Sequence, residues 1–475
     1  MFRNPEEMLR FIEETGVEQI DFKNIDLIGR WHHVTFSTRH MAENLLTRGS
    51  GISMSPYPGY RMIHQGDMVA RPDVSTAFID PFHESRTLTV ITDAHYPDGR
   101  PYERNSRDIA RKAEAFIADA GLDGASQWLP EMEFNIIDGV RYGNTTMRSY
   151  YDLAGEVGPE STGEAGEKRV LPQLPDTGVG QCDAPRDRYM NLRAAMVRRI
   201  EDAGYPVKYN HHELGGAGQC EIEPHFSPML RAADSVMVMK YIIRNTAAEF
   251  GKSVTFMPKP MYGAPGNGMH FHQYIQKKGK SLFYDEAGYA CMNELAMYYV
   301  GGLCHHNSAI MAFGCPSTNS YRRFGVGLAA PMNLFFSESN RSSAVRIPAY
   351  DKTPEGERVE YRLPDGLCNP YLTMAAQLMA GLDGIINKID PRTEGYGPFD
   401  VNNYELPPEE RAKIKSGPTS LEQALDALAA DHEFLTAGGV FPEEVIQVWI
   451  NLKLRELDEL SKRPHPYEFE LYYDM

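Results

Sequence analysis

No Cys-x-x-Cys pair occurs in this 475-residue chain, and its six cysteines (Cys182, Cys220, Cys291, Cys304, Cys315, Cys368) are scattered. That spacing argues against a structural zinc site and suits a reducing compartment better than a disulfide framework. No run approaches the ~18 uncharged apolar residues of a membrane span. The opening segment, 1–16, reads as a short amphipathic helix rather than a leader peptide, so a cytoplasmic protein is expected. Positive charge is in deficit: 48 Lys and Arg stand against 65 Asp and Glu, a net −17, which argues against nucleic acid or an anionic membrane as partner. Repeats, heptads and low-complexity blocks are absent, as is a GxxxxGK[ST] phosphate loop. What remains is an ordinary globular composition, 42% hydrophobic and 24% charged, in a chain long enough for two or three domains.

Residues 1–105 read as a small α+β unit. After the first helix, β-formers concentrate at 18–26, 31–36 and 88–93, and a Gly/Ser/Pro/Tyr-rich loop covers 49–60. The turn-rich tract at 96–104 marks the boundary with a second unit, 106–475. There, helical apolar spacing at 107–120, 185–203, 232–250, 292–313, 370–389, 420–431 and 443–461 alternates with strand-like segments. Residues 153–182 read as a long excursion.

The most informative pattern is a repeated i, i+2 spacing of ligand-type residues, which places both on one face of a strand. It occurs as Glu131/Glu133 in WLPEMEFNII, Glu221/Glu223 in GQCEIEP, His270/His272 in GMHFHQYI and Glu360/Arg362 in RVEYRLPD. His211-His212-Glu213 precedes a glycine-rich turn. One such pair is ordinarily the solvent face of an edge strand. Four of them, flanked by apolar residues, imply a gathered acidic face whose like charges need neutralising. Carboxylate oxygens with one or two imidazoles favour a hard ion, Mg²⁺ or Mn²⁺, and such ions accompany phosphate chemistry. Arginine is the second theme: Arg322, Arg323, Arg341, Arg346, Arg358 and Arg362 fall in three short tracts beside the acidic strands, and guanidinium forks suit phosphate and carboxylate oxygens.

Over nearly its whole length the chain resembles the type I glutamine synthetases. The matching motifs, in order, are DMVARPDVSTAFIDPF, PEMEF, NHHELGGAGQCEIE, TFMPKPMYGAPGNGMHFH, PSTNSYRRF, NRSSAVRIP, VEYRLPDGLCNPYL and MAGLDGIINKIDP. The resemblance implies an α+β fold with a small β-grasp-like N-terminal domain and a large catalytic αβ barrel. It also implies a homo-oligomer, a dodecamer of two stacked hexamers, in which a neighbour's N-terminal domain completes each site. ATP and two to three divalent cations, Mg²⁺ or Mn²⁺, would serve each site. One cation would be held by Glu133, Glu213 and Glu221, and another by Glu131, His270 and Glu360. Arg341, Arg346 and Arg358 would surround the ATP phosphates, with His272 nearer the nucleotide. Arg323 would grip the α-carboxylate of glutamate and Arg362 its reacting γ-carboxylate; Gly266 and Gly268 would line that pocket together with Glu133 and His270. The implied reaction phosphorylates a carboxylate and lets an amine displace the phosphate.

The acceptor end departs from the family pattern. Ser53 stands where an ammonium-binding Asp is expected, and no acid lies between Gly49 and Gln65. Ala329 in GLAAP replaces a flap glutamate, and Pro265 replaces a common Asn. Ammonium has little reason to bind a subsite without carboxylates and needs a base to become nucleophilic. Tyr57, Tyr60, Leu328 and Ala329 would then line a roomier pocket, so the sequence points to a ligase joining glutamate, or a close analogue, to an organic amine. The alternatives are an authentic glutamine synthetase with a rearranged ammonium site and a non-catalytic family member. Two smaller features get structural readings: Tyr404, at a position that some relatives adenylylate, and Cys304-His305-His306, expected to pack in a helix.

Overall fold

The computed structural model describes residues 2–42, 44–60, 63–155, 174–324, 333–402 and 405–475. The first helix, Pro5–Thr15, begins where the Asn4 side chain accepts from Glu7 N, and ends at Gly16, whose φ of 66° only glycine adopts without strain. Met8 and Ile12, one turn apart, seat it on a six-stranded sheet. The strands are β1 (Gln19–Ile25), β2 (Trp31–Ser37), β3 (Ser50–Ser53), β4 (Asp67–Pro72), β5 (Phe78–Ile79) and β6 (Thr87–His95). Their order is β2-β1-β6-β4-β3, with β5 against β6. The central pair β1 and β6 run parallel and are buried along nearly their whole length.

The segment expected as loop at 49–60 starts as edge strand β3, because Ser50, Gly51 and Ser53 are small enough to lie flat against β4. The rest folds back under β1. The Tyr60 hydroxyl donates to Ile25 O at 2.7 Å, and Tyr57 stacks on His32 at 4.0 Å. Both tyrosines belong to the core of this unit. They do not line an open acceptor pocket as the sequence led us to expect, because Tyr60 satisfies its only polar atom on β1 and Tyr57 is covered by an imidazole.

The second unit is organised by β7 (Ala125–Ile137), a strand buried along almost all of its length. After the hairpin β8 (Gly139–Thr145) and β9 (Arg148–Ala154) come β10 (Val207–His212), β11 (Gln219–Pro224), β12 (Ser227–Pro228), β13 (Ser253–Thr255), β14 (Met269–Lys277), β15 (Lys280–Ser281), β16 (Phe336–Glu338), β17 (Val345–Ile347) and β18 (Val359–Tyr361). The main sheet runs β10-β11-β7-β14-β18-β17-β16. Helices Met229–Glu249 and Pro370–Asn387 pack behind it through long buried faces. The helix expected at 185–203 begins only at Met190, because the preceding residues form turns around the Asp183 and Asp187 carboxylates. The run at 292–313 breaks into Glu294–His305 and Asn307–Gly314. At the break, the His306 ring is pinned between Asp383 (3.0 Å) and Asp431 (2.9 Å). No helix among the described residues is long and apolar enough to cross a membrane.

One buried cation ties the two units together. Arg107, on helix Ser106–Asp119, donates to Asp93 of β6 (2.9 Å), to Asp73 beside β4 (3.0 Å) and to Asp234 of helix Met229–Glu249 (2.9 and 3.0 Å). Burial would raise the Asp93 pKa, but Arg107 and Arg111 outweigh it and hold the carboxyl far below its usual range.

Candidate active site

Strand register alone gathers the site. Residues directly opposite in an antiparallel pair share a face, as do residues two apart. Glu133 lies opposite Glu221, and Glu131 opposite His270. His272 lies opposite Glu360, Glu360 opposite Arg346, and Glu221 opposite His211. The face therefore carries Glu131, Glu133, Glu221, Glu223, His270, His272, Glu360 and Arg346. Glu213 joins them from the turn after β10, where its backbone N–H donates to Gln219 O at 2.9 Å.

Two compact triads result. Glu133, Glu213 and Glu221 each offer an oxygen within 4.8 Å of the others, as do the ligand atoms of Glu131, His270 and Glu360. These are the two ligand sets expected from the resemblance. His270 Nδ1 is 2.9 Å from Glu131 Oε2 and 3.6 Å from Glu360 Oε1. The Nε–H of Arg358 donates to His272 Nδ1 at 3.3 Å, so the proton of His272 sits on Nε2, which donates to Glu131 Oε1 at 2.7 Å. Arg346 and Arg362 both donate to Glu360.

Charge is unevenly balanced across the face. Burial would raise Glu131, but the two imidazoles hold it well below the usual carboxylate range. Burial likewise opposes ionisation of Glu360, yet Arg362, His272 and Arg346 bring it down to about 2. Burial, and then Arg362, push His270 down to about 4, leaving it a neutral, ligand-competent imidazole at neutral pH. The other triad has too little positive charge. Burial and Glu213 raise Glu133 to about 7. Burial, followed by the carboxylates of Glu131, Glu133, Glu213 and Glu223, pushes Glu221 well above its usual range. Glu213 is raised by burial. Crowded carboxylates that cannot all ionise without a cation, beside a neutral imidazole, fit hard divalent ions.

The loop before β14 frames the adjoining pocket. A Cβ on Gly266 would meet Pro258 O at 2.4 Å and Arg323 Cγ at 2.7 Å; one on Gly268 would meet His270 Nε2 at 2.7 Å. Gly268 N donates to Glu133 Oε2 at 2.7 Å. Arg323 is buried and donates to the carbonyls of Arg362 (2.8 Å), Leu363 (2.8 Å) and Pro364 (3.0 Å). Its guanidinium thus braces the loop after β18. Arg358 lies over Phe226 (5.6 Å) and Tyr350 (5.2 Å), while Arg341, exposed between β16 and β17, acts on Glu213 through space.

Sequence reasoning missed Gln219. Its side-chain N–H groups reach Gly266 O (2.9 Å), Asn267 Oδ1 (3.1 Å) and Glu133 Oε2 (3.3 Å), and its Oε1 accepts from Gly215 N at 2.8 Å. Its only signal was its place two residues before Glu221. Ser53 lies apart, exposed on β3, with its hydroxyl 3.2 Å from that of Ser55. Directly opposite it, on the same face of the strand pair, stands Asp67 of β4. Leu328, Ala329 and Tyr404 lie outside the described residues.

Residues 16–97 match the family model "Glutamine synthetase, beta-Grasp domain" and residues 103–472 the model "Glutamine synthetase, catalytic domain". A curated relative from Frankia alni, named glutamine synthetase, is 43% identical over 478 residues, covering all of both chains. Among solved structures, a glutamine synthetase of Plasmodium falciparum determined by cryo-electron microscopy superposes with a TM-score of 0.89 at 26% identity, covering 99% of each chain. An apo structure titled GmaS gives a TM-score of 0.78 at 25% identity, covering 98% of this chain and 99% of that one. The chain belongs to the glutamine synthetase family: a β-grasp N-terminal domain joined to a catalytic domain, in an ATP-dependent ligase that forms carbon–nitrogen bonds.

Proposed function

We propose that this chain activates the γ-carboxyl of glutamate with ATP and converts it to an amide. The observation that carries this reading is the pair of triads on one sheet face, flanked by arginines and by a glycine-lined loop. Glu133, Glu213 and Glu221 would hold one divalent cation, and Glu131, His270 and Glu360 another. When bound, such ions, Mg²⁺ or Mn²⁺, draw charge from the phosphoryl group during transfer. Arg341, Arg346 and Arg358 orient the phosphates, Arg362 steadies the γ-carboxylate, and Arg323 with Gly266 and Gly268 shapes the pocket for the rest of the amino acid. A γ-carboxylate oxygen bonds to the γ-phosphorus as the bond to ADP breaks, giving an acyl phosphate. A nitrogen nucleophile then bonds to the acyl carbon and loses a proton, and phosphate leaves.

Ammonia is the acceptor we put first. The curated relative that matches end to end is named glutamine synthetase, and Asp67 opposite Ser53 supplies a carboxylate that the loop at 49–65 lacks. In this reading a neighbouring copy presents Ser53 and Asp67 to the site, within a cytoplasmic homo-oligomer of two stacked hexamers. A second reading, an organic amine as acceptor, is favoured by Ser53 and Ala329 standing where the family carries acids. Phosphate release from the purified protein with Mg²⁺, ATP and glutamate separates the two. Ammonium and a panel of primary amines would be compared and the products weighed by mass spectrometry. Robust glutamine formation supports the first reading; release only with an organic amine replaces it with the second.

A further inference from the structure

At the joint of the two units lies a cavity of about 430 Å³, the size of a small-molecule site. None of the residues of the acid face or of its flanking arginines lines it. Strands β4 and β6 contribute to it from the N-terminal unit, and helix Ser106–Asp119 from the catalytic unit. Leu46, Pro72, Val74 and Pro101 add apolar surface.

The charged groups around this cavity are unequally satisfied. Three carboxylates line it, and two are already spent. Asp73 accepts from Arg107 (3.0 Å) and Ser75 (2.6 Å), and Asp93 from Arg107 (2.9 Å), Arg111 (2.5 Å) and Asn105 Nδ2 (3.2 Å). Arg71 stands directly opposite Asp93 in the β4–β6 register. With that carboxylate taken, the Arg71 side chain is exposed and makes no hydrogen bond or ion pair among the described residues. On the other wall, Asn105 holds the position before the helix, where an Asn side-chain oxygen ordinarily accepts from the first turn. Here it makes no such bond. Asn105 is 2% exposed, and its Oδ1 is buried without a partner among the described residues. Asp108, three residues on and so on the same helix face, has a buried Oδ2 that likewise accepts no hydrogen bond. Its ion-pair partner, Lys112 Nζ at 3.1 Å, belongs to a side chain 41% exposed, which can swing into solvent.

A buried amide oxygen beside a carboxylate calls for a cationic donor, a free guanidinium for an anion, and the apolar surface for a hydrocarbon. One kind of small molecule meets all three demands. We propose that this cavity binds a free α-amino acid with an apolar side chain, its carboxylate on Arg71 and its ammonium on Asn105 Oδ1 and Asp108. Bound there, the ligand bridges β4 and helix Ser106–Asp119 beside the Arg107 lock and tightens the joint between the units. The site is separate from the pocket for the reacting amino acid and does not depend on which acceptor the enzyme uses.

The test is titration calorimetry of the full-length protein with L-leucine as the probe, with and without saturating glutamate, Mg²⁺ and ADP. Leucine should bind once per chain in both conditions and raise the melting temperature. 4-Methylpentanoate, which lacks the ammonium, and 3-methylbutylamine, which lacks the carboxylate, should each bind at least about tenfold more weakly. Arg71→Gln should weaken leucine by about tenfold or more, yet melt at the wild-type temperature without ligand, since its guanidinium has no partner to lose. Asp108→Asn should weaken leucine and leave the binding of 4-methylpentanoate unchanged. Absence of leucine binding to the wild type at millimolar concentration would overturn the proposal. So would leucine binding that glutamate abolishes, which places it in the substrate pocket, an R71Q protein that binds leucine as the wild type does, or 4-methylpentanoate that matches leucine.

Discussion

Loading the metal-free protein with Mn²⁺ at a series of pH values should expel protons, because the Glu133–Glu213–Glu221 triad cannot ionise fully on its own. Glu133 is raised from 4.5 to about 7, which corresponds to roughly 3 kcal/mol in favour of its bound proton. A cation entering the triad must displace that proton and the one on Glu221, which burial and the neighbouring carboxylates also favour. Apparent affinity should therefore climb as pH rises toward 7, by up to about tenfold per pH unit for each proton displaced. Calorimetry in two buffers of different ionisation enthalpy counts the protons directly. The same shift fixes the sign of a stability effect. Between pH 4.5 and 7 the folded protein holds a proton on Glu133 that the unfolded chain has lost, so metal-free stability falls as pH rises through that window, on the order of 3 kcal/mol from this group. Glu360, held at about 2, works the other way and only below its unfolded value, so the window belongs to the raised carboxyls. No proton release at pH 6, or an affinity indifferent to pH between 5.5 and 8, would refute the reasoning.

Arg107→Met leaves the carboxylates of Asp73, Asp93 and Asp234 facing one another without their shared cation; a loss of about 3–5 kcal/mol is expected in chemical denaturation, and a loss under 1 kcal/mol would contradict the lock between the units. At His306, burial would lower the pKa, but Asp383 and Asp431 outweigh it and raise it to about 9. The stabilisation is complete below the unfolded value near 6.5 and is lost as pH rises through 9. With Asp431 41% exposed, about 1–2 kcal/mol should vanish between pH 7 and 10, and His306→Gln should flatten that alkaline slope. Gly268→Ala puts a methyl group 2.7 Å from His270 Nε2; Mn²⁺ affinity should drop by about tenfold or more while the circular dichroism spectrum is kept, and unchanged affinity would show that the loop has room to yield.

The acid face was legible because period-two spacing survives any fold that makes those segments strands: Glu131/Glu133, Glu221/Glu223 and His270/His272 were paired on the page before any register was known. The register itself, which sets Glu133 against Glu221 and His270 against Glu131, needed the three-dimensional chain. Helices with a clear apolar stripe, such as Glu443–Ser461, were equally visible. What escaped was tertiary. Lys208 carried no signal, because it takes a one-residue bulge to bring its ammonium to Glu223. The helix break at His306 depends on two aspartates distant in sequence. Tyr57 and Tyr60 read as pocket residues because a Gly/Pro-rich loop gives no hint that it folds back under β1. Asp67 was overlooked as an acid for the acceptor site because it lies across a strand pair from Ser53 rather than within its loop.

The central claim is that this site activates the γ-carboxyl of glutamate by phosphoryl transfer. It is tested most directly with glutamate carrying ¹⁸O in its γ-carboxyl group, incubated with ATP, Mg²⁺ and an accepted nitrogen nucleophile. The account predicts one ¹⁸O in each phosphate released, because the oxygen that attacks phosphorus departs with it. Phosphate free of ¹⁸O, formed while the nucleophile is consumed, would contradict it.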